Sequence, residues 1–415
     1  MDKALAQPAA AQAQAANDID EALIVDWDIY TEPKLLEDVH LGWHALHDTA
    51  PDIFWTPRNG GHWVVMRYED QVQVLKDAEH FSSRELHIPP MFNGNVMIPL
   101  NLDPPEHTRY RAVLMRYFGP AAINRMEPKL VAWAHRLIDR VAADGACDFT
   151  EILGAGFPVS VFMELMGMPL DRFEEFRGIV LEYFSNITPE RRGQVQERIF
   201  AVMRELFDEK RRHPADDLAS ALLGEEVRGR PLTQEELESM GFLLFLGGLD
   251  TVANALTFSI RNLAGRPDLQ QRLIAEPEKL PDYVEESLRR FAVVNQTRIV
   301  KKDTVIKGAA FREGQMVMCP LTAAGLDPRR NPQPETFDID RADRGHITFS
   351  IGAHTCIGNM LARLEMRVFT RVWLERIGAF ALAGADRPAW RPGLVMALEH
   401  LRLQWKAPGN APAQA

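Results

Sequence analysis

The sequence predicts a mainly α-helical protein with small β-sheets, and three observations carry that reading. Most of the chain beyond Pro105 has apolar residues at helical spacing. The β-rich runs are short and lie towards the ends, as in Phe54-Trp55 and Trp63-Val64-Val65-Met66 on either side of Asn59-Gly60-Gly61, a hairpin signal. Nothing in the interior reads as a linker, so the 415 residues resolve into one large domain, 18–405, between an Ala/Gln-rich disordered tail, 1–17, and a flexible tail, 406–415.

Helical periodicity and end signals predict helices at 68–76, 105–117, 127–141, 149–166, 170–185, 190–212, 234–263, 269–275 and 280–291. Lys and Arg number 47 against 58 Asp and Glu, a net charge of −11, which argues against nucleic acid and anionic membrane as partners. Three scattered cysteines make no disulfide framework and suit a reducing cytoplasm. The longest apolar run, Met240 to Leu249, falls well short of the roughly 20 residues a spanning helix needs, so a soluble chain without a membrane anchor is expected.

Taken in order, the first chemical stretch is Asp103-Pro-Pro-Glu-His-Thr-Arg-Tyr-Arg111. Asp103 can cap a helix there and proline is tolerated in a first turn, while His107 and Arg111, four residues apart, leave one face. On its own this is an ordinary solvated face. The helix at 234–263 would run about 45 Å at 1.5 Å per residue and is apolar nearly all round between Met240 and Leu249, so it should be buried. Against that, Gly247-Gly248 costs about 1 kcal/mol per glycine in a helix interior, and Asp250 brings a carboxylate into the same stretch. Thr251 can bond the carbonyl of Gly247 and loosen the helix. Local rules broken together mark functional sites, although a kinked core helix with a satisfied Asp-Thr pair is the plainer account. Glu286 and Arg289, at i and i+3, form a commonplace helix pair.

The last stretch is Phe349-Ser-Ile-Gly-Ala-His-Thr-Cys-Ile-Gly358, where a loop turns into a helix. A cysteine there is biased to thiolate by the helix N-terminus, Gly352 permits a tight turn, and Gly358 lets something flat approach the backbone. Phe349 can shield the sulfur. Cys147 and Cys319 read as small core residues. For Cys356 a nucleophile would need a base such as His354 or His346, and zinc would need further close ligands where no Cys-x-x-Cys exists.

The whole string resembles the haem-binding loop of the cytochrome P-450 family, Phe-x-x-Gly-x-[Arg/His]-x-Cys-x-Gly, at each fixed position. The resemblance implies the family fold, a triangular-prism helical domain around a buried haem b, with Cys356 as proximal iron ligand and Phe349 and Gly358 against the cofactor. His107, Arg111, Arg298 and His354 would bind its propionates. His354, where most members carry Arg, is similar to the bacterial camphor hydroxylase branch. Gly247-Gly248-Leu249-Asp250-Thr251 resembles the family's oxygen-activating segment, in which Thr251 donates to bound dioxygen and Asp250 relays protons. Glu286 and Arg289 resemble the buried Glu-x-x-Arg pair behind the haem loop. The family's third member is missing from Pro334-Glu-Thr-Phe337, with Arg330 as one substitute.

The resemblance implies O2-dependent hydroxylation fed by a [2Fe-2S] ferredoxin and its NADH-dependent reductase, since the chain has no flavin or nucleotide motif of its own. Arg109, Arg111 and Arg116 would form the docking patch for that acidic donor. Positions matching the camphor pocket are Asn95, Met97, Leu100, Leu243, Leu246, Gly247, Val294, Gln296, Leu394 and Val395, with Phe184 and Thr188 as roof. Asn95 replaces the tyrosine that binds camphor's ketone, which puts camphor itself in question and points to a small monoterpenoid with an ether or carbonyl oxygen, such as 1,8-cineole, or to a norisoprenoid such as ionone. Two other classes remain: a haem-thiolate protein driven by peroxide or without monooxygenase activity, and a cofactor-free helical binding protein with Cys356 buried.

Overall fold

The computed structural model describes residues 19–90, 96–154, 156–184, 189–384 and 388–407. Asn95 and Thr188 lie outside them, as do the tail at 1–17 and most of 406–415, and the side chain of Phe184 is likewise outside the description. In chain order the main helices are α1 (Val39–Thr49), α2 (Tyr68–Lys76), α3 (Glu106–Met115), α4 (Pro120–Ile138), α5 (Gly156–Met166), α6 (Phe173–Phe184), α7 (Pro189–Arg212), α8 (Gln234–Ala264), α9 (Pro267–Ala275), α10 (Leu280–Arg290) and α11 (Asn359–Ile377). The main strands are β1 (Ile53–Thr56), β2 (His62–Val65), β3 (Phe81–Ser82), β4 (Ala146–Asp148), β5 (Asn295–Val300), β6 (Met316–Pro320), β7 (Phe380–Leu382) and β8 (Arg402–Trp405). These elements group into two compact units.

The first unit comprises the chain to Thr108, Glu285–Cys356 and Trp390–Ala397. Its sheet has the order β1-β2-β6-β5-β3, with β2 and β6 parallel and the other neighbours antiparallel. The expected hairpin is there: Trp55 pairs with Trp63 across a turn in which Asn59, Gly60 and Gly61 all have positive φ. Glycine is required at 61, where a Cβ would lie 2.5 Å from the Trp55 ring. Trp55, Trp63, Phe81, Phe311 and Val317 fill the core on this sheet.

The second unit comprises Arg109–Val284, Ile357–Ala389 and the chain from Leu398. Here α8 packs on α5 and α7, α11 packs on α4, and a small sheet of order β7-β8-β4 closes one side. Phe149, Phe369, Trp373 and Trp405 interlock edge to face beneath it. Among the described residues α8 alone is long and apolar enough to span a membrane. It is a core helix, burying Leu237, Phe242, Phe245, Leu256 and Phe258 along its length.

Two helix boundaries differ from the expectation by more than three residues, and α1 lies where no helix was expected. α4 begins at Pro120, behind a Gly119 cap, and runs through Pro128 where a start was expected at 127. An interior proline costs about 3 kcal/mol, but Ile123, Leu130, Trp133 and Leu137 form one buried face across it, and burial of that face outweighs the lost hydrogen bond. The helix expected at 149–166 is a wide turn at Thr150–Gly154 followed by α5. A side chain at Gly154 would come within 3.2 Å of the Thr257 hydroxyl on α8.

Candidate functional site

In the first unit, the loop before α11 is shaped by two residues with positive φ, Ser350 and Gly352. A Cβ at Gly352 would sit 3.0 Å from the carbonyl oxygen of Leu75, so glycine is needed for the close approach to α2. The Ser350 amide donates to the carbonyl of Ile347 at 2.7 Å, and the Cys356 amide donates back to that of Phe349 at 2.7 Å. This fold of the loop leaves Cys356 exposed while Phe349, Ser350 and Ile351 are half-buried. The other two cysteines are what the sequence suggested in kind: Cys319 is wholly buried in β6 and Cys147 half-buried in β4, and burial pushes both thiols up to about 12.

His107 and His354 are both buried, with ring centroids 4.1 Å apart. Arg298 on β5 is fully enclosed, donates through Nη1 to the carbonyl of Thr297 at 2.7 Å, and has no hydrogen-bond partner at Nη2. Burial lowers its pKa to about 10. Side chains alternate along a strand, so Val294, Gln296 and Arg298 share one face. Val294 and Gln296 are half-buried, as are Leu394 and Val395 on the turn bridged to Val294. Met97 and Leu100 sit in a turn pinned by Asn101, which bonds the Met97 amide at 2.9 Å and the carbonyls of Ser83 and Arg84 at 3.2 Å.

Behind the loop, Glu286 and Arg289 are completely buried and bidentate at 2.7 and 2.8 Å. Arg289 also donates to the carbonyls of Gly325, Pro334 and Thr336. The third member of this network is Arg341, 3.5 Å from Glu286 and bonded to the carbonyls of Pro332, Gln333 and Thr336. Arg330 instead pairs with Asp343 at 2.7 Å. Thr348 donates to the carbonyl of Leu288 at 2.7 Å, which ties the cysteine loop to α10.

In the second unit, Leu243, Leu246, Gly247, Asp250 and Thr251 fall on the least buried stripe of α8. The Thr251 hydroxyl donates to the carbonyl of Gly247 at 2.9 Å, as the spacing required, and Asn254 donates to Asp250 at 3.0 Å. A Cβ at Gly247 or Gly248 would meet nothing within 4 Å. Neither glycine is there for the packing of the chain itself. Gly358 caps α11, and Arg109 and Arg116 are exposed while Arg111 is half-buried. Arg116 is engaged by Glu225 through two bonds of 2.8 and 3.0 Å.

The cytochrome P450 family model matches residues 39–378. The chain belongs to that family. This P450 is 34% identical over 394 residues to "Probable cytochrome P450 127A1" of Sinorhizobium fredii, covering 92% of this chain and 95% of the relative. Among solved structures it is similar to CYP101C1, with a TM-score of 0.89 and 32% identity over 94% of this chain and 99% of that one. It is also similar to CYP101J2, at a TM-score of 0.87 and 33% identity over 94% and 98%. It is a haem-dependent monooxygenase with the fold the sequence predicted.

The residues present fit the cofactor. A buried guanidinium with an orphaned nitrogen calls for an anion, as a haem propionate would be. An exposed cysteine on a loop held by backbone hydrogen bonds and two glycine-lined positions on α8 fit, respectively, an iron ligand and a space kept for small molecules. Sequence reasoning missed Arg341, because its partners are backbone carbonyls and a helix distant in the chain.

Proposed function

We propose that this P450 inserts one oxygen atom of O2 into an unactivated C–H bond of a small hydrophobic terpenoid, a 1,8-cineole-like or camphor-like monoterpenoid or an ionone-like norisoprenoid, with 1,8-cineole or ionone favoured over camphor. Electrons would come singly from a [2Fe-2S] ferredoxin served by an NADH-dependent reductase. Haem, when bound, supplies the iron at which dioxygen is taken up and reduced. Cys356 would ligate that iron, Arg298, His107, His354 and Arg111 would hold the propionates, and Phe349 and Gly358 would flank the ring.

The observation that carries the reading is in α8, where a threonine hydroxyl bonds the helix backbone beside two glycines facing open space. Thr251 Oγ1 holds a proton that can be turned from the Gly247 carbonyl to another acceptor for about 1 kcal/mol, one hydrogen bond. Asp250, steadied by Asn254, can take up protons and pass them on. Leu243 and Leu246 on the same stripe offer the apolar contact a terpenoid needs, and within the first unit Val294, Leu394 and Val395 are half-buried apolar residues of the same kind. Arg109 and Arg116 suit docking of an acidic ferredoxin, with Arg116 contributing less because Glu225 already neutralises it.

The test is Thr251→Ala in a reconstituted system, after a compound that shifts the haem spin state has been found among 1,8-cineole, camphor and β-ionone. NADH consumption continues, with hydrogen peroxide replacing hydroxylated product. Tight coupling of NADH to product in that variant overturns the assignment.

A further inference from the structure

β5 works on both faces. Val294, Gln296 and Arg298 point one way, so Asn295 and Thr297 point the other, and these two hang separate pieces of chain from the strand. The Thr297 hydroxyl donates to the carbonyl of Leu86 at 2.9 Å. Asn295 donates through its amide to the carbonyl of Leu394 at 2.8 Å and through Nδ2 to that of Gly393 at 2.7 Å. The Met396 amide adds a bond to the carbonyl of Val293 at 2.8 Å.

These bonds fix each piece to β5 but not to the other piece. Tyr30 does that. Its hydroxyl donates to the carbonyl of Ile88 at 2.5 Å, two residues beyond the Leu86 anchor. Its ring lies on Gly393, where a Cβ would stand 3.0 Å from Cε1 and where φ is +126°. The tyrosine is fixed in turn: its amide donates to Asp28 at 2.8 Å, and Asn59 in the hairpin turn donates to the same carboxylate at 3.1 Å. A closed ring of contacts results, running from β5 through Leu86 and Ile88 to Tyr30, then Gly393 and back to β5. Burial, with the Asp28 charge, raises the phenol to about 12, so the hydroxyl stays a donor at ordinary pH.

We propose that Tyr30 is a positioning residue for substrate: it sets the separation between the Ile88 segment and the Gly393–Val395 turn, and through it the width of the wall formed by Val294, Gln296, Leu394 and Val395. The proposal rests on the reading of those four as substrate-facing. A residue in this role changes how large ligands fit while leaving small ones and the overall fold alone. Tyr30→Phe keeps the ring on Gly393 and removes only the bond to Ile88.

Two measurements on the holoprotein test it. In hydrogen exchange, Tyr30→Phe speeds exchange in peptides covering 84–90 and 392–397 and leaves 402–405 unchanged. In optical titrations of the haem, it weakens 4-phenylimidazole roughly 3- to 10-fold, the worth of one hydrogen bond, and imidazole less than about twofold. Melting temperature stays within ~2 °C. Equal weakening of both probes, or no change in binding with unchanged exchange at 84–90, overturns the role of Tyr30. If the wild-type haem band fails to respond to either azole, the pocket reading falls as well.

Discussion

Arg289 and Arg298 are both buried, yet their surroundings ask opposite things of them. Arg289 has a bidentate carboxylate and three carbonyls, and Glu286 takes further bonds from the Asp338 amide and Arg341. Breaking such a pair from one side leaves an uncompensated buried charge. Glu286→Gln should therefore cost about 3–5 kcal/mol, read from the urea midpoint of the apoprotein. Arg298 has one carbonyl and one orphaned nitrogen, and burial has already lowered its pKa to about 10. Removing it relieves an uncompensated desolvation, so Arg298→Leu leaves apoprotein stability unchanged or raised and speeds transfer of haem to a scavenging globin. A loss of apoprotein stability as large as that of Glu286→Gln would show that Arg298 is structural.

At the scale of elements, α8 gives up helix stability for space. Each interior glycine costs about 1 kcal/mol relative to alanine, and a methyl at 247 or 248 would strike nothing in the chain. Gly248→Ala should raise the stability of the apoprotein by up to ~1 kcal/mol and weaken or abolish the substrate-induced spin shift of the holoprotein. If that shift is retained at full affinity, the space is not used by ligand. The ends of α8 were legible because their signals are local: Thr233 and Glu236 form a capping box and Gly265 follows the last turn. The same is true of the hairpin at Asn59-Gly60-Gly61 and of the cysteine loop, whose glycines and hydrogen bonds lie within ten residues of one another. The features that stayed hidden were decided at long range. The start of α4 depends on a buried face that overrides Pro128, and β6 pairs parallel with β2, far back in the chain, and antiparallel with β5. Arg341 and Tyr30 act on backbone carbonyls, which leave no mark in a sequence.

For the molecule as a whole, each unit hides a buried group whose suppressed charging makes stability depend on pH, and the two act in opposite directions of pH. In the first unit, burial holds His62 down to about 4 from an ordinary 6.5. The neutral ring is favoured by the fold, so its contribution is complete above 6.5 and is lost as pH falls towards 4, roughly 3 kcal/mol in all. Further acid then reaches Asp52: burial works against its ionisation, but Arg67 and Arg329 hold it to about 2, and that support goes below 3.8. In the second unit Glu365 on α11 is fully enclosed, its Oε2 has no hydrogen-bond partner, and burial alone raises its pKa well above 4.5. Here the protonated acid is favoured, so stability is greatest below 4.5 and declines by about 1.4 kcal/mol per pH unit until the native pKa is reached. The two slopes cancel between pH 4.5 and 6.5, so thermal stability should be level there, falling below 4.5 as His62 is protonated and falling above 6.5 for as long as Glu365 stays protonated in the fold. His62→Gln turns the level region into a decline that begins at 4.5, while Glu365→Gln leaves a rise from 4 to 6.5 with no decline above it and removes a protonated-carboxyl stretch from the infrared spectrum. Calorimetric melts of the apoprotein across pH 4 to 9 read both, and an alkaline decline that survives in Glu365→Gln would mean that it does not originate in the Glu365 carboxyl.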